Sequence, residues 1–450
     1  MLKLISLWKD HFGNLGKLQK FLAKAIAGTF GLKVVNALLL YTNSLLLARV
    51  LGTSGFGAYS YASAWVYLLL IPAVLGLEGL VLREISVYNT KSEWHLSKGL
   101  LKWSRKVVFW NSILVSALAI AGFWLFLGKT NINLVWVMSI AFLAVPAEAI
   151  ARLRQPTMHA IGKIVIGQLP DTLIRPLLLC LFLLISIFFL DTELGAQEAV
   201  ALKVVAAIVA CIVGEFLLSR HLSPKIKKVR PSYQSKLWMK SALPMLFIGS
   251  MYIVNNLTDT IMLGSLDSTE AVGLYTVANR GAGLITFILI AFDTSIAPTF
   301  ASLHTQGERG RLQEIVTKSC QANFAIALIM ATILIIFGKS LLLLFGSEFV
   351  AGHSALTILS LGQLVNAFTG SVALLLIMTG FDKYTAIGVS VSAVINIILN
   401  SILIPLYSVE GAAIATAISM VCWNIILVYF AYQKLKINST AIGFPKADQA

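Results

Sequence analysis

Eight ionisable side chains stand out because they interrupt or border long apolar runs: Lys33, Arg49, Glu78, Arg83, Arg175, Asp259, Arg280 and Asp293. A charge inside hydrocarbon costs a few kcal/mol or more, so it normally faces a cavity or a partner. Arg280 sits nine residues into the apolar stretch 271–300, on the order of 13 Å along a helix. Asp259 lies four residues from the end of the preceding run, on the order of 6 Å deep, so the two are expected to come close. Two readings stay open: a structural ion pair, or an arginine that receives an anionic group while Asp259 tunes it or joins cation coupling. Lys33, about twelve residues into its run, is too deep to snorkel easily and is expected to face a cavity. Arg175 is four residues from Asp171, and Arg152 is four from Glu148, which suggests local i,i+4 neutralisation, with Arg175 also a candidate contact for an anionic group. Asp293 and Glu78 are weaker coupling candidates, and Arg49 and Arg83 flank one run as interface anchors or anion contacts. The six histidines do not cluster at metal-ligand spacing, and no nucleophile–base pattern or phosphate-binding GxxxxGK[ST] run is present. Neither a cofactor nor catalysis is expected. Cys180, Cys211, Cys320 and Cys422 all fall in apolar runs and read as small buried hydrophobes.

The elements that position these charges are membrane spans. The 450 residues are 58% hydrophobic and 12% charged, with a mean hydropathy of +0.85. Soluble domains carry about 25% charged residues, so neither a soluble globule nor a disordered chain fits. Twelve runs of spanning length follow one another from 21–48 to 411–432. The net charge of +15 then reports topology rather than nucleic-acid binding. With both termini cytoplasmic, the inner segments hold 27 of the 35 basic residues. The outer side holds Arg49, Lys129, Lys203 and Lys339. The expected organisation is an amphipathic interfacial helix at 1–20, a first lobe at 21–222, a basic linker at 223–237, a second lobe at 238–432 and a cytoplasmic tail at 433–450.

The halves echo each other at an offset of 216 residues. Thr42-Asn43-Ser44 aligns with Thr258-Asp259-Thr260, Gly57-Ala58-Tyr59 with Gly273-Leu274-Tyr275, and Gly195 with Gly411. Six spans per half make the repeats parallel, related by a pseudo-two-fold along the membrane normal. Such pairs enclose an interface that can open to either side. Prolines at 72, 146, 170, 176, 244 and 298 fall in spans and predict curvature or hinges.

The stretch LARVLGTSGFGAYSYASAWVYLLLIPAVLGLEGLVLREIS at 47–86 resembles the signature of Wzx-type polysaccharide flippases. These belong to the multidrug/oligosaccharidyl-lipid/polysaccharide exporter superfamily. DTIMLGSLDSTEAVGLYTVANR at 259–280 and LIPLYSVEGAAIATAIS at 403–419 extend the resemblance over nearly the whole chain. It implies an all-α polytopic protein with two six-helix lobes in a V, as in the multidrug branch, spans one, two, seven and eight lining the cavity. It also implies movement of a polyprenyl-pyrophosphate-linked oligosaccharide from inner to outer leaflet of a bacterial cytoplasmic membrane, for O antigen, capsule or exopolysaccharide. H+ or Na+, membrane lipids and a polymerase or chain-length complex are the implied partners. Lys33 and Arg280 match the basic cavity positions such a substrate needs. The cavity cations look balanced by Asp259, Asp293 and Glu78, which leaves a cation-coupled multidrug antiporter or a non-transporting scaffold as alternatives.

Overall fold

The computed structural model describes residues 17–189 and 194–443, and these are almost entirely helical, without a strand among them. In hydrocarbon every backbone polar group must find its partner within the chain, and a helix does this locally. The first half contains α1 (Lys17–Val74), α2 (Leu77–Thr90), α3 (Trp94–Leu127), α4 (Ile132–Phe142) and α5 (Val145–Ala160). It continues with α6 (Ile164–Leu169), a π-helical turn (Pro170–Ile174), α7 (Arg175–Phe189) and α8 (Ala196–His221). After the short α9 (Pro224–Lys228) come α10 (Ser235–Leu266), α11 (Thr269–Thr305), α12 (Arg309–Leu343), α13 (His353–Thr369), α14 (Val372–Met378) and α15 (Asp382–Leu435).

Among the described residues seven helices are long and apolar enough to cross a membrane, or nine when each bent pair counts as one span. Two of them hide a second segment. α1 has 58 residues, which if straight would reach about 87 Å against a hydrocarbon thickness of about 30 Å. Its backbone breaks at Gly52, where φ is 64° and ψ −174°. That combination suits a residue without Cβ. α15, with 54 residues, breaks at Ser408 (φ 49°, ψ −121°), three residues after Pro405. Gly52 lies 216 residues before Ser268, the side-chain cap between α10 and α11, so the repeat places a turn at both positions.

The largest core cluster runs through the first half and continues across the seam, joining Phe56, Tyr59 and Ala62 to Val272, Tyr275, Ala278 and Phe349. Two smaller clusters, around Phe300 and Leu427 and around Ile285 and Leu334, lie wholly in the second half. The basic linker is strapped to the foot of α3. Ser232 N–H donates to the His95 carbonyl at 3.0 Å, and the Lys98 amine donates to the carbonyls of Lys227 and Val229. The expected helix at 1–20 falls mostly outside the described residues. The described part of the tail folds back on the second half, where Ser439 Oγ donates to the Thr369 carbonyl at 2.8 Å.

Candidate functional site at the seam between the halves

The seam is built first by small residues. Thr53-x-x-x-Gly57 opens the second segment of α1, and Thr269-x-x-x-Gly273 opens α11. A Cβ placed on Gly57 would overlap the Thr269 carbonyl, and one on Gly273 would overlap the Thr53 carbonyl. The contact is reciprocal, as a pseudo-two-fold requires, and it brings two backbones together as small-xxx-small pairs do. Polar links surround it. Ser54 Oγ and Thr269 Oγ1 are 3.1 Å apart, Tyr61 Oη and Ser265 Oγ 2.9 Å apart. Arg49 Nε donates to the Leu344 carbonyl at 2.7 Å, and the Glu348 carboxylate accepts from the Thr53 backbone N–H and hydroxyl at 3.4 and 3.3 Å. Arg49 is thus a tie across the seam.

Further along α11, Arg280 reaches back to the first half. Its guanidinium donates to the Leu40 carbonyl at 3.3 Å and lies 5.8 Å from the Phe56 ring centroid. Among the described residues it has no carboxylate partner, and Tyr41, Tyr59 and Tyr67 stand within electrostatic reach. Lys33 lies seven residues before Leu40 on α1. Seven residues make two helical turns, so it shares the face that Arg280 touches, about 10 Å nearer the start of α1. It is exposed there.

The expected meeting of Asp259 with Arg280 does not occur. Asp259 points into the second half, 4% exposed, and accepts hydrogen bonds from Tyr275 Oη (2.8 Å), Asn396 Nδ2 (3.0 Å) and Asn400 Nδ2 (2.7 Å). The Tyr275 hydroxyl also contacts Thr416 Oγ1 at 3.0 Å. Sequence distance from a helix end measured depth, not azimuth, and the two side chains leave their helices in different directions. Two amides and a phenol donate to this carboxylate, with no Arg or Lys among its bonded partners, so its charge is held inside the second half by hydrogen bonds alone. Asp293 accepts from Ser371 Oγ, also within the second half.

The arginine pairings also differ from the i,i+4 expectation. Glu148, 5% exposed, pairs with Arg175 at 3.0 Å rather than with Arg152. Asp171 pairs with Arg154, and Arg152 comes to 3.9 Å from Glu78. Asp171 sits in the π-helical turn just before Arg175, and its carboxylate goes to Arg154 on another segment. Arg154 is fully buried and lies against Gly214, where any Cβ would collide with the guanidinium. Arg83 is exposed and paired with its neighbour Glu84 at 2.8 Å.

Lys203, counted by sequence with the outer side, is in fact packed inside the first half on α8. Its amine donates to Ser63 Oγ at 2.6 Å and lies 5.2 and 5.7 Å from the ring centroids of Tyr59 and Tyr67. The missed signal was Tyr59 and Tyr67 themselves, eight residues apart on one face of α1 and able to hold a desolvated cation. Arg175 is paired with Glu148 and interacts with Asp171, which is itself paired with Arg154, so among the described residues Lys203 and Arg280 are the cations of this region left without a carboxylate pair. The balance expected from Asp259 and Asp293 is absent because both turn into the second half. All four cysteines are unpaired, and no group of three metal-ligating side chains forms among the described residues.

Fold and seam define a multi-pass membrane protein of the two-halved exporter type. The family model of polysaccharide biosynthesis proteins matches residues 22–304, and the MatE model matches residues 244–402. The chain belongs to the polysaccharide biosynthesis protein family within the multidrug/oligosaccharidyl-lipid/polysaccharide exporter superfamily. It is 26% identical to the probable flippase AglR of Haloferax volcanii, over 90% of this chain and 83% of that protein. With the lipid II flippase MurJ of Bacillus subtilis the identity is 23%, over 89% and 81%. Among solved structures, an inward-facing multidrug resistance transporter of the superfamily superposes with a TM-score of 0.72 at 14% identity, covering 89% of this chain and 94% of its own. An inward closed structure of lipid II flippase MurJ gives 0.70 at 13% identity, covering 91% and 87%.

Proposed function

We propose that the protein is a flippase that carries a lipid-linked oligosaccharide from the inner to the outer leaflet of a cytoplasmic membrane for surface-glycan assembly. The chain crosses the membrane twelve times in two lobes, 21–222 and 238–432, with both ends cytoplasmic. Relatives include archaeal flippases, so the reading is not tied to a bacterial envelope polymer. The observation that carries it is Arg280 at the seam, which has no carboxylate pair among the described residues, with Lys203 likewise unpaired by a carboxylate behind it in the first half. A diphosphate cannot enter hydrocarbon unpaired, and a guanidinium without a carboxylate partner offers it two parallel charge-assisted hydrogen bonds. Lys33 meets the headgroup on its way along α1. The lipid tail stays in the bilayer while the halves rock.

The Asp259 pocket supplies the coupling step. Filling it with Na+ or H+ neutralises a buried carboxylate inside one half and biases how that half packs. This pocket serves an antiporter equally well, so it is the sign of the seam that favours an anionic headgroup over a cationic drug. The test is a strain lacking the gene. It should accumulate a polyprenyl-diphosphate glycan on the cytoplasmic face, lose surface glycan, and recover on complementation. Unchanged lipids and surface polymer, together with new toxin sensitivity, would turn the reading to drug export.

A further inference from the structure

A cleft opens on the outer flank of the first half, between α3 and α8. It comprises two adjoining cavities of about 520 and 260 Å3 that share Arg105. The larger is walled by Phe109, Trp110 and Ile212, all exposed where a lipid tail would run. The smaller lies toward the foot of α3, beside the linker, and is lined by Lys98, Lys102 and Lys227. The cleft therefore passes from a basic end to an apolar end along one helix face.

The state of each charge decides what the cleft holds. Lys98 is spent on the linker carbonyls, Lys227 on the Ser219 carbonyl, and Arg105 on Glu215 at 2.5 Å. Lys102 and Lys106 are exposed, and no partner for either is found among the described residues. They are four residues apart on one face of α3, so like charges stand side by side about 6 Å apart along the axis. The next turn is aromatic. Glu215, already taken by Arg105, is the carboxylate lining these cavities.

We infer that this cleft is a binding site for an anionic phospholipid, with its phosphate on Lys102 and Lys106 and one acyl chain along Phe109, Trp110 and Ile212. Basic pockets between spanning helices on the cytoplasmic side suit such headgroups. An aromatic turn at the boundary suits the glycerol region. The leaflet follows from the basic-inside topology, and the inference is independent of what the seam transports. Because the same foot of α3 anchors the linker, a bound lipid sits beside the strap that joins the two halves.

The experiment is native mass spectrometry of the full chain in detergent, titrated with phosphatidylglycerol and with phosphatidylcholine of the same acyl chains. The wild type should retain phosphatidylglycerol selectively. Lys102→Gln/Lys106→Gln should weaken that binding by about tenfold or more. Lys102→Arg/Lys106→Arg should restore it, which separates lost charge from lost folding. Lys91→Gln/Lys163→Gln, removing the same charge elsewhere on that side, should change it less than twofold. Equal retention of the two lipids, or an equal loss in the control variant, would overturn the site. So would displacement of phosphatidylglycerol by polyprenyl diphosphate at equimolar concentration, which would make the cleft a substrate station.

Discussion

Arg280 and Asp259 show how one buried charge differs from another. Arg280 is held by a carbonyl and a ring face, contacts that position a guanidinium without neutralising it. Arg280→Ala should leave folded protein at normal abundance and lower glycolipid transport about 10- to 100-fold, the worth of one or two charge-assisted hydrogen bonds. Arg280→Lys should recover only part, since an ammonium cannot make the two parallel bonds. Wild-type export by the alanine variant would remove Arg280 from the mechanism. Asp259 is surrounded by donors that suit a carboxylate, Asn396, Asn400 and Tyr275. Asp259→Asn should abolish the response of transport to an imposed Na+ or H+ gradient while leaving slow equilibration intact. Gradient-driven transport by that variant would move coupling elsewhere. Both residues were legible in the sequence as lone charges in apolar runs. Their partners were not, because spacing gives depth along a helix and not the direction a side chain leaves it. Glu148 and Asp171 make the same point, each exchanging its expected neighbour for an arginine on another segment.

At the scale of elements, the reciprocal contact of Thr53-x-x-x-Gly57 with Thr269-x-x-x-Gly273 closes one end of the seam. The proposed rocking of the halves requires that this contact open. Ser54→Cys/Thr269→Cys should form an oxidant-induced crosslink that stops transport, with recovery on reduction; transport through the crosslinked protein would show that this end never opens. Gly57→Ala or Gly273→Ala forces a methyl onto a carbonyl and should cost about 1–3 kcal/mol of the closed packing. The expected sign is faster reaction of a cysteine at Ser54 with a soluble thiol reagent, and unchanged reactivity would argue against a gate. The repeat offset exposed these glycines in the sequence, yet only the fold shows that equivalent residues touch each other. The breaks at Gly52 and Ser408 fall in gaps already legible between the apolar runs 21–48 and 56–82 and between 384–405 and 411–432.

For the whole molecule, composition and the distribution of lysine and arginine were enough to indicate a helical membrane protein built as a duplication. Chain periodicity carried that information because lipid leaves the backbone few alternatives. The charge of the cavity was not readable in the same way. Counting carboxylates along the sequence set Asp259 and Asp293 against the cations, whereas the fold turns both into the second half and brings Lys203 into the first. That redistribution of charge is the basis for assigning an anionic headgroup to the seam. It is tested most directly by reconstituting the full chain into liposomes that carry a fluorescent polyprenyl-diphosphate glycan and measuring its loss from one leaflet. The account predicts translocation by the wild type, its loss in Arg280→Ala, and competition by free diphosphate lipids but not by lipophilic cations. Failure of the wild type to move the glycolipid, with ion-coupled export of a cationic dye by the same liposomes, would contradict it.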